Sequence, residues 1–176
     1  MAILKLESAP AGSRAAVARI HGNYHVIATE DLRPGDLVLR IEGDLTRHPT
    51  RYTVQVDDDL HVEVPAEVGL ELLLDRYYWR FLNHSCDPST VIRGREVIAR
   101  RRIRAWDEIT FDYASTEFDM AEPFACRCGS LRCRGEVRGF RHLTAEQRWR
   151  VEPYLADFLR HRSGSEDPPA AMETPA

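Results

Sequence analysis

Lysine is nearly absent from the sequence: 23 of its 24 basic residues are arginine, and Lys5 is the exception. The protein therefore offers almost no lysine of its own for modification. Long apolar runs are absent too, and none approaches the roughly 20 residues that a membrane helix needs, so we expect no contact with a membrane. The formal net charge of −4 gives no overall nucleic-acid signature.

A secretion signal is also lacking, since residues 1–10 have neither a basic start nor an apolar block. We therefore expect an intracellular protein, cytoplasmic in a bacterium and nuclear in a eukaryote. A reducing compartment disfavours disulfides, so the four cysteines need another explanation. The length of 176 residues fits one domain with small appendages.

Short strands separated by turns dominate the sequence as far as Tyr113 and predict a mostly β core. The acidic tip at residues 57–59 could bind a cation, but a solvated hairpin loop is the favoured interpretation. The predicted strands, of which the third and fourth form a hairpin, lie at residues 19–27, 36–41, 51–56, 60–64, 96–99 and 108–113.

Helical character is predicted at residues 66–79 and again at residues 144–161. In the second segment, Thr144 and Gln147 resemble a capping box, and Pro153 interrupts the helix. Its expected apolar face consists of Trp149, Leu155, Phe158 and Leu159. Residues 163–176 are rich in Pro, Ala, Ser and Glu and predict a disordered tail.

A polar turn occupies the middle of the chain, where residues 80–88 read Arg-Phe-Leu-Asn-His-Ser-Cys-Asp-Pro. Apolar segments flank the turn, so we expect it to be drawn into the interior. Its polar groups then need partners, and a ligand is one way to supply them.

Three cysteines lie within eight residues, at Cys126, Cys128 and Cys133, and Cys86 in the polar turn is the fourth. Four thiolates make the tetrahedral set of a structural zinc site. Free thiols or a redox pair are the alternatives. Four soft ligands in an intracellular chain favour zinc, which would join the late loop to the central turn.

Three segments occur together in order: residues 80–88, residues 108–113 (Glu-Ile-Thr-Phe-Asp-Tyr) and residues 126–135 (Cys-Arg-Cys-Gly-Ser-Leu-Arg-Cys-Arg-Gly). Over residues 19–137 the chain thereby resembles a SET-domain protein-lysine methyltransferase with a post-SET zinc loop. The resemblance implies a mostly β fold of small sheets (a β-clip) with a pseudoknot, a zinc-binding loop and a C-terminal helix. It also implies a division into a lead-in (1–18), the SET domain (19–115), the post-SET loop (116–140), a helical segment (141–162) and the tail (163–176).

The resemblance further implies methyl transfer from S-adenosylmethionine to a lysine of a histone-like or other basic protein, with a structural Zn²⁺. Tyr113 is the implied catalytic residue, although an aromatic residue at a strand end, taken alone, is usually part of a core. The implied cofactor-binding residues are Tyr24, Arg80, Phe81, Asn83, His84 and Leu131. The implied substrate channel contains Tyr52, Phe111 and Phe118, and the implied zinc ligands are Cys86, Cys126, Cys128 and Cys133.

Two features qualify the resemblance. Tyr24 stands where family members usually carry the second glycine of Gly-x-Gly, so its side chain either obstructs the cofactor or stacks on it. A catalytically inactive, zinc-stabilised binding module is therefore the alternative function. The arginines between residues 93 and 104 could contact nucleic acid, but a solvated sheet face is favoured.

Overall fold

The computed structural model describes residues 4–163, which form small sheets and short helices. The first sheet is antiparallel, in the order β1 (Leu4–Ser8), β2 (Ala15–Ile20) and β3 (Asn23–Ala28). The single strand predicted at residues 19–27 is wrong. Ile20 pairs with Asn23 across a two-residue turn at His21 and Gly22, whose φ angles of 50° and 85° reverse the chain as a tight hairpin turn does.

Two further three-stranded sheets contain most of the other predicted strands, which are thereby confirmed. The second sheet has the order β4 (Leu37–Arg40), β10 (Glu96–Ala99) and β9 (Thr90–Arg93). The third has the order β5 (Asp44–Thr46), β7 (Leu60–Glu63) and β6 (Val54–Asp57). Gly43, which precedes β5, has φ 150°, and a Cβ there would lie 2.1 Å from the Glu63 carbonyl oxygen, so a larger residue does not fit.

Two short strand pairs complete the β structure. The first, β8 (Asn83–His84) with β11 (Thr110–Phe111), is parallel. The second, β12 (Phe124–Ala125) with β13 (Glu136–Val137), is antiparallel. The strand predicted at residues 108–113 is shorter than expected because the Asp112 side chain accepts a hydrogen bond from Ala114 N and caps a 3₁₀-helix, Tyr113–Ser115.

The main core lies between the sheets and the segment that leads into β8. Helix α1 (Leu70–Asp75) is shorter than the helix predicted at residues 66–79 and buries none of its residues. The chain continues as a 3₁₀-helix, Tyr78–Phe81, in which Trp79 is buried and donates its indole N–H to the Glu42 carbonyl. This contact fixes the backbone just before the polar turn.

A second core lies beneath the C-terminal helices, α2 (Ala145–Val151) and α3 (Asp157–Ser163). The Thr144–Gln147 capping box and the interruption at Pro153 are both confirmed, the latter as a 3₁₀-helix, Glu152–Tyr154. Leu155 and Leu159 are buried against the 3₁₀-helix Phe140–His142. The placement of Trp149 on the apolar face is wrong, because its side chain points away from this core and is 78% exposed.

The predicted tail, apart from Ser163, lies outside the described residues. Within residues 4–163, every helix is too short and too polar to cross a bilayer.

Candidate active site

The parallel pairing of β8 with β11 brings the polar turn to Tyr113. Thr110 pairs with Asn83 and Phe111 with His84. Two residues further on, the backbone N–H of Tyr113 donates to Nδ1 of His84 over 3.2 Å. The rings of His84 and Tyr113 meet edge to face with their centroids 5.3 Å apart. Segments nearly 30 residues apart in sequence therefore form one site.

The phenol of Tyr113 is held firmly inside this site. Its hydroxyl donates to the Leu82 carbonyl over 2.8 Å, and the rings of Phe111 and Phe124 lie 4.7 and 5.9 Å away. Burial, followed by the negative charge of Glu117, raises the pKa of Tyr113 above its usual value. The phenol is therefore protonated at neutral pH, and its oxygen keeps lone pairs that face away from Leu82.

His84 connects Tyr113 to the cysteine cluster. Its side chain is 4% exposed, and burial lowers the pKa of His84 to about 4, so the ring is neutral at neutral pH. Nδ1 receives the Tyr113 N–H, and Nε2 lies 3.2 Å from Sγ of Cys86. Both ring nitrogens therefore have partners inside the protein.

A wide groove opens beside these residues, with a volume of about 1,870 Å³ including the solvent at its mouth. The ring of Tyr24 packs against Phe81 with their centroids 4.7 Å apart. The Asn83 side-chain amide donates to the Tyr24 carbonyl and to Glu108 Oε1. The groove collects five of the predicted cofactor-binding residues, namely Tyr24, Arg80, Phe81, Asn83 and His84. Leu131, the sixth, is fully exposed and lines a different depression, next to α2.

A second, smaller cavity, of about 470 Å³ including solvent at its opening, is also lined by Tyr113. Tyr52, Phe111, Tyr113 and Trp79 are among the residues that line it. The guanidinium of Arg80 lies 4.1 Å from the centre of the Tyr52 ring, and that of Arg51 lies 5.2 Å from it. Tyr113 is among the residues that line both spaces, so the groove and the cavity are neighbours.

Phe118 is not brought to this cavity, although the resemblance implied a place for it in the channel. Its ring packs against the C-terminal core, with the guanidinium groups of Arg162 and Arg141 at 4.5 and 5.7 Å. The chain turns away after Glu117, because Phe140 N donates to the Glu117 carbonyl and Arg141 N to that of Phe118. The Phe118 side chain therefore anchors the C-terminal helices.

The cysteine cluster lies directly beneath His84. Ligand atoms of His84, Cys86, Cys126 and Cys128 all fall within 4.8 Å of one another. The 3.9 Å between Sγ of Cys86 and Sγ of Cys126 is close to the roughly 3.8 Å that a tetrahedral ion with Zn–S bonds of about 2.3 Å requires. The donor set is thus compatible with Zn²⁺.

Cys133 belongs to the same cluster, although its residue is exposed. Its thiol interacts with those of Cys126 and Cys128 and lies 3.5 Å from the Cys126 carbonyl. The structure therefore brings the four predicted thiol ligands together and adds His84 as a further candidate. A signal for His84 was present in the sequence, because His84 lies two residues before Cys86, but the resemblance assigned it to the cofactor.

The thiols have different acidities. Burial raises the pKa of Cys128, but hydrogen bonds from the backbone N–H groups of Cys86 and Ser130 oppose this effect and bring the pKa down to about 7. Burial raises the pKa of Cys126 to about 11, and it also raises that of Cys86. A cation at the centre of the cluster would oppose these upward shifts by favouring the thiolates.

A buried ion pair joins the cysteine loop to the Tyr113 segment. Arg134 donates both terminal nitrogens to the carboxylate of Asp112, which is fully buried and precedes Tyr113. The backbone N–H of Arg134 also faces Sγ of Cys86 at 3.4 Å. The late loop is thus fixed to the turn and to the Tyr113 segment at once.

Sequence reasoning missed a buried acid in the smaller cavity. Glu117 is 8% exposed, and its carboxylate accepts a hydrogen bond from Gln55 N and faces His61. The only available signal was a charged residue four positions after Tyr113 in an otherwise uncharged run.

The arginine cluster makes internal contacts. Arg100 and Arg101 pair with Asp87, Arg102 pairs with Asp31, and Arg93 donates to the Leu155 carbonyl. These contacts fit the favoured interpretation of a structural and solvated face.

Comparison with known proteins gives a consistent result. The SET domain family matches residues 23–114. The methyltransferase flvH of Aspergillus flavus is 33% identical over 118 residues, which cover 64% of this chain and 65% of that protein. The histone-lysine N-methyltransferase TRX1 of Oryza sativa subsp. japonica is 29% identical over 144 residues, which cover 68% of this chain but 13% of that protein.

Among solved structures, that of KRYPTONITE in complex with mCHG DNA and SAH aligns with 64% of this chain and 26% of its own. The sequence identity is 23% and the TM-score is 0.48.

Proposed function

Because the chain belongs to the SET-domain family, we propose that it transfers a methyl group from S-adenosylmethionine to the side-chain amine of a lysine in a protein. The observation that carries this proposal is the position of Tyr113, which lines both a wide groove and a smaller cavity with aromatic walls. A donor in the groove and an amine in the cavity would meet at this residue.

The residues present fit the two ligands. The Tyr24 and Phe81 rings offer an apolar wall to a nucleoside, and the edge of β8 offers backbone polar groups. Tyr52, Trp79 and Phe111 surround the cavity and suit the methylene chain of lysine. S-adenosylmethionine, when bound, supplies an electrophilic methyl group on a sulfonium.

The protein's part in this reaction is positioning. Aligning two reactants can contribute up to about 7–11 kcal/mol to lowering a barrier. Tyr113 is fixed by its bond to the Leu82 carbonyl, so its oxygen and that carbonyl can accept weak C–H···O contacts from a methyl group. The aromatic walls of the cavity favour the neutral, nucleophilic form of an amine. The zinc ion would have a structural role, held by Cys86, Cys126 and Cys128 with Cys133 or His84.

The proposed substrate is a basic protein segment, such as a histone tail. Relatives named histone-lysine methyltransferases support this choice, and so do the net charge of −4 and the carboxylates of Glu63, Glu67 and Glu122 near the mouth of the cavity. Phe111 rather than tyrosine beside Tyr113 leaves space for a second and third methyl group. Mass spectrometry should therefore detect di- or trimethylated product, and Phe111→Tyr should stop at the monomethylated one.

Tyr24 does not favour the inactive-module alternative. The Tyr24 ring packs against the Phe81 ring at the side of the groove, and the Tyr24 carbonyl accepts a hydrogen bond from the Asn83 side chain, so the groove stays open. Calorimetry of the zinc-loaded protein with S-adenosylmethionine separates the two functions, since only an enzyme needs to bind it. A peptide array with labelled cofactor then identifies the sequence that is methylated. Intact protein that binds no S-adenosylmethionine would exclude the proposed activity.

A further inference from the structure

Glu117 is a buried acid in the smaller cavity. Two carboxylates line this cavity, those of Glu117 and Glu122. The Glu122 side chain is 59% exposed at the mouth, whereas the Glu117 side chain is 10% exposed. A carboxylate removed from water is costly unless it meets a cation or several hydrogen-bond donors. Its surroundings therefore indicate what it can bind.

The position of Glu117 relative to Tyr113 is set by the backbone. Glu117 N donates to the Tyr113 carbonyl over 2.8 Å, and Phe140 N donates to the Glu117 carbonyl over 2.8 Å. Oε1 accepts the Gln55 N–H over 2.7 Å. The first two bonds fix the backbone of Glu117, and the third holds its carboxylate in the cavity that Tyr113 also lines.

The carboxylate keeps acceptor capacity. Within residues 4–163 its ion pair is with His61, whose Nε2 lies 3.5 Å from Oε2, beyond a good hydrogen bond. A carboxylate has about four lone-pair sites, and the Gln55 N–H uses one of them. His61 is itself buried, and its Nδ1 has no hydrogen-bond partner among the described residues. The two buried side chains therefore keep unused hydrogen-bonding capacity, and the Glu117 carboxylate can accept a hydrogen bond from an N–H donor.

The proposed reaction supplies such a donor. A lysine side chain with a pKa of about 10.4 arrives as an ammonium and must lose a proton before nitrogen can attack a methyl group. The phenol of Tyr113 is poorly suited to take this proton, because it is itself protonated and its hydroxyl hydrogen is already given to Leu82.

We propose, as an extension of the function proposed above, that Glu117 binds the substrate ammonium in the cavity and accepts one of its protons. The N–H bond breaks and its electron pair stays on nitrogen, while an O–H bond forms on Glu117. The neutral amine then uses this pair in methyl transfer. The proton leaves Glu117 for solvent when the methylated, positively charged product departs, so one proton is released per methyl group.

Several charged or titratable groups lie around Glu117. His61 approaches from β7 and Tyr113 from the 3₁₀-helix, while Arg51, Arg80 and Glu122 line the outer cavity. The two arginines lie over the Tyr52 ring and Arg51 also pairs with Glu122, so their charges are held at the mouth. Of the two acids, Glu117 is the buried one.

The test compares Glu117→Gln with wild type across pH 6.5–10. The glutamine oxygen can still accept the Gln55 N–H, so the fold is preserved. At pH 7 we expect kcat/KM to fall roughly 10²-fold, a usual contribution of a general base. The variant should recover as pH approaches the amine's own pKa, at about tenfold per unit. Glu117→Asp should regain part of the loss at pH 7, and Glu30→Gln, which removes an exposed acid that pairs with Arg14 away from the cavity, should behave as wild type.

A binding measurement separates this inference from the proposed activity. n-Butylammonium, titrated into the complex with S-adenosylhomocysteine, should bind wild type and Glu30→Gln but bind Glu117→Gln at least tenfold more weakly. If wild type transfers no methyl group yet shows this difference, the methyltransferase proposal fails and ammonium recognition by Glu117 stands. Equal pH profiles for Glu117→Gln and wild type, or equal binding of n-butylammonium, would overturn the role of Glu117. So would a folded variant that stays inactive at every pH.

Discussion

The backbone N–H of Tyr113 donates to the imidazole of His84 across a parallel pair of two-residue strands. The same imidazole faces Sγ of Cys86. One side chain thus connects the residue expected to act at the methyl group with the metal cluster expected to hold the site together.

Tyr113→Phe should abolish methyl transfer while leaving the protein folded. The change removes the hydroxyl that donates to Leu82 but keeps the ring, so the stability loss should be about 1 kcal/mol. Turnover should fall at least about 10²-fold, since small misplacements of reacting groups can cost that much. Single-turnover assays and urea unfolding measure the two effects. Unchanged turnover would remove Tyr113 from the mechanism.

Cys133→Ser should lower zinc content from one ion per chain, because the sequence assigns the fourth thiolate to this residue. His84→Asn is the matched variant, since it removes the competing candidate ligand near Cys86. Elemental analysis after dialysis gives the stoichiometry of both. If Cys133→Ser keeps one zinc and His84→Asn loses it, the ligand set contains three thiolates and an imidazole.

Arg134→Met should be strongly destabilising, because it leaves the fully buried carboxylate of Asp112 without its guanidinium. Breaking one partner of a buried pair costs roughly 3–5 kcal/mol. Arg102→Met, which breaks the exposed pair with Asp31, is the control and should cost less than about 1 kcal/mol. Urea unfolding at neutral pH measures both. Similar losses for the two variants would contradict the importance given to burial.

His84 should make stability depend on pH between about 6.5 and 4. Its pKa falls from about 6.5 in the unfolded chain to about 4 in the fold, chiefly because of burial, so the unfolded state binds the proton more readily. The contribution of the neutral ring is present above pH 6.5 and is lost as pH falls toward 4.

The magnitude of this loss is roughly 3 kcal/mol for a shift of this size. Urea unfolding of the zinc-free protein at intervals over this range measures it. His84→Gln should show a smaller slope than wild type, and an identical slope would assign the effect to other groups.

Much of the fold could be predicted from local patterns. The strands at residues 37–40 and 96–99 and the hairpin of β6 and β7 follow from alternation and aliphatic content. The capping box at Thr144 and the break at Pro153 follow from local backbone chemistry. These features depend on neighbours within a few residues, which the sequence displays directly.

The errors arose where contacts between residues far apart in the sequence determine the local structure. Residues 19–27 have the composition of a strand, but the turn at His21 and Gly22 is favoured because it lets β2 pair with β3 over its full length. Trp149 falls on the apolar face by spacing, yet the helix is rotated by the packing of Val151 and Leu155.

The motifs of the site could be predicted from the sequence, whereas the positions of several side chains could not. Asn83, His84 and Tyr113 meet as the resemblance implied, whereas Phe118 and Leu131 lie elsewhere because the chain turns toward the C-terminal helices. Glu117 and His61 could not be paired from sequence, since 56 residues separate them and neither belongs to a motif.

The ion pair between Asp112 and Arg134 has a consequence during synthesis of the chain, because Asp112 is added before its partner. When the ribosome has just added Tyr113, it must add some twenty further residues before Arg134, whose guanidinium pairs with the carboxylate of Asp112. A polypeptide that ends in that interval would contain Tyr113, Asn83 and His84 but would lack Arg134 and its ion pair with Asp112. Premature termination there would leave a fragment without an ordered active site.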